Sequence, residues 1–118
     1  MHPHHFVLSL WAIGLSLYST SILAGGGRCG LRDAYPRLEQ LVQSPGSSLQ
    51  AIRSEAGDLA EMLHRNLPYE STPQVAEIFT EIETVSREME VARTRAQAVA
   101  LFAEIRAQYN RFLQVELD

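Results

Sequence analysis

Past its first five residues the chain carries one cysteine, Cys29, and one histidine, His64. A thiol or hydroxyl becomes a useful nucleophile only beside a fixed base, and an imidazole needs a group that orients it. Cys29 sits in Gly26-Gly27-Arg28-Cys29-Gly30, a stretch that fixes no base beside it. His64 lies between Leu63 and Arg65 at what reads as the last turn of a helix. The helix dipole there favours the imidazolium, which is the pattern of a surface histidine. No hydrolytic or transfer site follows, and the chain reads as a non-enzyme. The lone cysteine also excludes an internal disulfide framework and multi-cysteine zinc or iron–sulfur sites. In an oxidising compartment, with Arg28 and Arg32 favouring thiolate, Cys29 reads as a reactive thiol or as the link of a disulfide-bonded homodimer.

Carboxylates are the commoner chemistry. Glu77, Glu81 and Glu88 fall on one side of a helical segment and Glu83 and Glu90 lie beside them, with Arg87 the one basic residue between Glu70 and Ala92. Helical carboxylates hold di-iron centres, but those sites need Glu-x-x-His on both of two facing helices, and the chain offers no such pair. The five glutamates therefore read as a solvated face, partly neutralised by Glu83 and Arg87 at i,i+4, and as a surface for a basic protein partner. Met62, Met89, Tyr109 and Phe112 recur at helical spacing and read as core rather than as a cofactor pocket. No catalytic, cofactor or metal residues are expected.

These residues belong to a chain of 118 with 46% apolar content, enough for one domain with a core and too much for a disordered tail. The net charge of -4 argues against nucleic acid, whose binding needs a basic face. All ten basic residues are arginine, a coding bias with little mechanism in it.

The elements that must position them begin with an apolar run from Phe6 to Ala24 that no charged residue interrupts. Small residues at Ala24 and Gly26 suit cleavage after Gly26, with Ser19-x-Ser21 as a second site, so residues 1–26 read as a signal peptide. The start of the chain lacks Lys and Arg, and Arg28, Arg32 and Arg37 follow the run. Retained, the run is long enough to cross a bilayer, and a membrane anchor is the alternative.

Past the leader the periodicity is helical throughout, with no strand signal. Residues 27–32 read as a linker and 33–118 as the helical domain. Asp33 is placed to cap a short first helix with Pro36 in its first turn, inward positions at Tyr35, Leu38, Leu41 and Val42, and a stop at Ser44-Pro45-Gly46. Ser47-x-x-Gln50 has the form of a capping box for a second helix, which turns Leu49, Ile52, Ala56, Leu59 and Leu63 to one face and ends near Asn66. Ser71-Thr72-Pro73 opens a third, with Val75, Ile78, Phe79, Ile82, Val85, Met89 and Ala92 inward. The stripe then changes phase. Thr94-x-x-Gln97 places a turn at Arg93-Thr94 and a fourth helix from Arg95 to about Leu117, with Ala98, Phe102, Ile105, Tyr109 and Phe112 inward. One long bent helix, buried against another chain as in a coiled coil, is the alternative. The fold class is all-α, an up-down bundle of four helices. Its short first helix is expected to leave one end poorly covered, a natural place for a partner.

The segment Ile105-Arg106-Ala107-Gln108-Tyr109-Asn110-Arg111-Phe112 resembles the last helix of the soluble periplasmic cytochrome b family, in which an Arg-x-x-Tyr-His motif closes a four-helix bundle behind a cleavable leader. Arg106 and Tyr109 match that motif, and the Ala-rich stretch from Ala96 to Ala103 is similar. The resemblance implies the bundle fold. It also implies a haem held by a His after that Tyr and by a Met in the first helix. Here Asn110 takes the His position and the first helix has no Met, so neither ligand carries over. The functional expectation is an exported bundle, in the periplasm or secreted, that binds a protein partner without catalysis. A haem-binding electron-transfer bundle, with His64 as substitute ligand, and a membrane-anchored coiled coil are the alternatives.

Overall fold

The structure is a computed structural model that describes residues 30–117, so the expectations for the signal peptide, the cleavage site and Cys29 lie outside the described residues. Among those residues the fold is all-α, four helices in an up-down-up-down bundle with no strand. Helix α1 covers residues 30–43, α2 Leu49–Asn66, α3 Pro73–Glu90 and α4 Arg95–Leu117, with a short 3-10 turn at Leu67–Tyr69. The α2–α3 and α3–α4 contacts are extensive, while α2 and α4 lie across the diagonal and touch little. Helix α1 closes the ring between α4 and α2, through Tyr35 on Tyr109 and through Arg37 on Glu55.

The core is the set of inward stripes. Leu38, Ile52, Leu59, Leu63, Ile78, Ile82, Met89, Phe102, Ile105 and Phe112 are all buried, and Phe79 sits among them. Leu41, Leu49 and Tyr109 pack against this cluster from partly exposed positions.

Two boundaries differ from the sequence expectation. Residues 30–32, expected in the linker, are helical, and Asp33 lies inside α1 rather than capping it. The reason is Leu31, which extends the stripe of Tyr35, Leu38 and Val42 one turn upstream and is fully buried. That burial outweighs the poor helix propensity of Gly30. Gly30 also packs close to the Met62 side chain of α2: a Cβ there would lie 3.0 Å from its sulfur. The second difference is a one-residue shift: Ser48, not Ser47, caps α2, its hydroxyl accepting from the Ala51 amide at 3.0 Å. The Ser47 hydroxyl instead donates back to the carbonyls of Leu41 and Ser44, tying down the loop.

The break between α3 and α4 falls where the phase change places it. The Thr94 hydroxyl accepts from the Gln97 amide at 3.0 Å, and the Gln97 side chain accepts from the Arg93 amide at 2.9 Å. Helix α1 is still the shortest of the four, and its C-terminal end is tied to α4. Arg95, at the start of α4, sends its guanidinium across to the carbonyls of Leu41, Val42, Ser44 and Ser47. A positive charge there meets the negative end of the α1 dipole and satisfies its orphan carbonyls. Arg53 on α2 does the same for α3, its Nε donating to the Glu90 carbonyl at 2.8 Å.

Candidate partner-binding surface

The helical repeat divides the glutamates of α3 into two rows. Glu77, Glu81, Thr84 and Glu88 follow steps of four, three and four along the outer face and are exposed. The hydroxyls of Thr80 and Thr84 are turned back to the helix, donating to the carbonyls of Ala76 and Thr80, each at 2.9 Å. Glu83, Arg87 and Glu90 form the second row, on the flank that meets α2.

The flank row is engaged in ion pairs. His64 Nδ1 lies 3.0 Å from a Glu83 oxygen, and its side chain is otherwise open to solvent at 68% exposure. Arg87 reaches Glu61 at 3.1 Å, Glu90 at 3.5 Å and Glu83 at 3.9 Å. Its hydrogen bond, then its charge, holds the Glu61 carboxyl below the usual range, and the same pairing raises Arg87. Between α2 and the end of α3 lies an open groove of about 370 Å³ lined by Arg53, Gly57, Asp58, Glu61 and Glu90. Acid and base are mixed there.

The outer row is different. Glu77 meets Arg111 of α4 at 3.5 Å. Glu81 and Glu88 make no ion pair with another described residue, and neither does Glu104 on the neighbouring face of α4. The groove between the two helices, about 460 Å³, is lined by Glu77, Thr80, Glu81, Gln108 and Arg111. Of the five glutamates expected to share a surface, Glu81 and Glu88 are thus left with charge to offer, and Glu104 joins them from a helix whose acids the sequence reading did not single out. No group of three or more His, Cys, Asp or Glu among the described residues is placed to hold a metal ion.

The seam between α1 and α4 is aromatic. Tyr35 and Tyr109 stack with centroids 3.9 Å apart and planes 8° from parallel, Phe102 follows at 5.4 Å from Tyr35, and Phe112 at 5.9 Å from Tyr109 continues the ladder to Phe79 on α3. The Tyr35 hydroxyl donates to Glu39 at 3.2 Å, and Arg106 reaches the same carboxylate oxygen at 3.5 Å while lying over Phe102. Burial raises both phenols above their ordinary range. The two residues that carry the cytochrome-like motif, Arg106 and Tyr109, therefore serve this packed seam. In it the tyrosine rings are in stacking contact, and Asn110 is exposed.

No helix among the described residues is long and apolar enough to cross a membrane. Compared with protein-family models, with curated proteins and with solved structures, the chain matches none.

Proposed function

We propose that this chain is an exported, non-enzymatic helical bundle whose role is to bind a protein partner, and that the partner meets the outer face of α3. The observation that carries the reading is the division of its carboxylates. Glu83 and Glu90 are engaged with Arg87 and the α2 flank, whereas Glu81 and Glu88 stand exposed with no cation among the described residues. Exposed like charges left in a row repel one another and are relieved by a partner that brings the opposite sign. Export is supported by the Phe6–Ala24 run and the small residues before Gly27.

Affinity capture with the tagged, exported protein tests the reading, run beside a Glu81→Lys, Glu88→Lys variant. A protein retained by the wild type and lost from the variant is the expected result. Capture of the same proteins by both forms overturns the assigned face. Intact mass of the exported material is expected to correspond to a chain beginning at Gly27, and a species beginning at Met1 overturns the cleaved leader.

A further inference from the structure

We propose that Tyr35 and Tyr109 form an oxidative modification site, at which a one-electron oxidant joins the two rings and ties α1 covalently to α4. Carbon–carbon coupling of phenols needs two of them in contact. Of the four tyrosines, Tyr18 lies in the leader, outside the described residues, and Tyr69 stands out on the turn between α2 and α3 at 84% exposure. Tyr35 and Tyr109 meet. Their ring centroids are 3.9 Å apart and their planes 8° from parallel. At that spacing a radical on one ring reaches the other without diffusion, the advantage that a reaction within one chain holds over a reaction between chains.

The surroundings give the two rings different parts. Tyr109 is half-buried, and its hydroxyl bonds to no other described residue. It is the ring that an oxidant reaches first. Tyr35 is 5% exposed and gives up its electron across the stack. A phenol that loses an electron must also shed its proton. The Tyr35 hydroxyl already donates to the Glu39 carboxylate at 3.2 Å, so an acceptor is in place, while Tyr109 releases its proton to water. The joined rings lie edge to edge rather than face to face, so one must tilt out of the stack. The half-buried Tyr109 is the one with room to do so.

Each phenol loses one electron and its hydroxyl proton, giving two tyrosyl radicals. A bond then forms between one carbon of each ring, ortho to the hydroxyl. The hydrogen on each of those carbons moves to the phenolic oxygen, which restores both aromatic rings. Net, two C–H bonds are lost, one C–C bond is gained, and two electrons and two protons leave. A peroxidase passes them to hydrogen peroxide, which becomes two molecules of water. With one cysteine the chain forms no internal disulfide. The aromatic bond supplies the equivalent staple, closing a loop that holds the whole of α2 and α3.

The test is exposure of the dilute full chain to a peroxidase and hydrogen peroxide, followed by mass mapping of its tryptic peptides. Residues 33–37 and 107–111 are expected as one linked peptide, lighter than the separate pair by two hydrogen atoms. Tyr35→Phe and Tyr109→Phe each keep a ring in the stack and are expected to abolish the link, whereas Tyr69→Phe is expected to leave its yield unchanged. Chain unfolded in urea is expected to give about tenfold less of it, because the rings are no longer held together. Isotope-labelled and unlabelled chains oxidised together are expected to give no mixed link. Products confined to Tyr69, a 33–37 to 107–111 link that joins two chains, or equal yield from folded and unfolded chain overturns the inference. The wild-type map and the urea comparison need no variant, so they decide the question even where a phenylalanine variant fails to fold.

Discussion

Arg95 donates to the Val42 carbonyl at 3.0 Å, so the first residue of α4 caps the last turn of α1. The same nitrogen also reaches the oxygens of Ser44 and Ser47, and one side chain thereby joins the N-terminus of α4, the C-terminus of α1 and the loop to α2. With α1 ending at residue 43, its final carbonyls have no helical amides beyond them, and the Ser44 amide and hydroxyl, the Ser47 hydroxyl and Arg95 share them.

Arg95→Ala is accordingly expected to cost stability well beyond an ordinary surface substitution. Hydrogen bonds to a charged group contribute about 1.5–3 kcal/mol. A loss of about 2 kcal/mol is expected, with amide exchange near residues 41–44 accelerated more than in α3. Arg93→Ala, in the neighbouring exposed position, is the comparison and is expected to change melting little.

Phe102 separates core from surface. It is buried on the inner face of α4, stacked on Tyr35 of α1, and truncating such a ring costs about 3–5 kcal/mol. Phe102→Ala is expected to unfold the domain largely at ordinary temperature. Glu81→Ala is expected to melt as the wild type does, and calorimetry of the two variants side by side checks both.

The tyrosine seam sets an alkaline limit on stability. Burial raises Tyr35 and Tyr109 above the ordinary value of 10.0, so the folded state keeps protons that the unfolded chain has lost. A raised folded value means the contribution is whole below the unfolded value and is lost as pH rises through the folded one. Denaturant midpoints are expected to fall above about pH 10. In Tyr35→Phe that decline is expected to be shallower, because one of the two phenols no longer titrates.

Gly57 offers a substitution whose sign the geometry decides. A Cβ there would meet the Glu90 carboxylate at 2.7 Å, but that group is the half-exposed end of a flexible side chain and can swing away. What is lost is a surface ion pair with Arg87, of small value. What is gained is a better helix residue in the interior of α2, favourable by about 0.8–1.0 kcal/mol. Gly57→Ala is expected to raise the melting temperature by a few degrees.

Much of this arrangement is legible in the sequence, for identifiable reasons. The change of phase after Ala92 and the Thr94-x-x-Gln97 pattern locate the last turn, because capping hydrogen bonds are local. The start of α1 is misplaced at Asp33 because Gly30 and Arg32 look like linker, and the deciding contact, Leu31 in the core, is long-range. The roles of Arg53 and Arg95 are invisible for the same reason, since an arginine on a helix reads as a solvated charge until its neighbour is known. Periodicity sets Glu83 and Glu90 beside Glu77, Glu81 and Glu88, but which flank meets α2, and so which carboxylates find cations, depends on the packing. Tyr35 and Tyr109 are both readable as inward, yet their stacking depends on the register of two helices far apart in sequence.

A protein partner on the outer face of α3 is tested most directly by photo-cross-linking in intact cells, with a photoreactive residue placed at Glu81 or Glu88 in the full chain and, as the comparison, at Asp58 on the α2 groove. Covalent adducts to a second protein are expected from Glu81 and Glu88 and not from Asp58. Adducts confined to Asp58, or none from Glu81 and Glu88 while the exported protein is intact and folded, would contradict a partner site on α3.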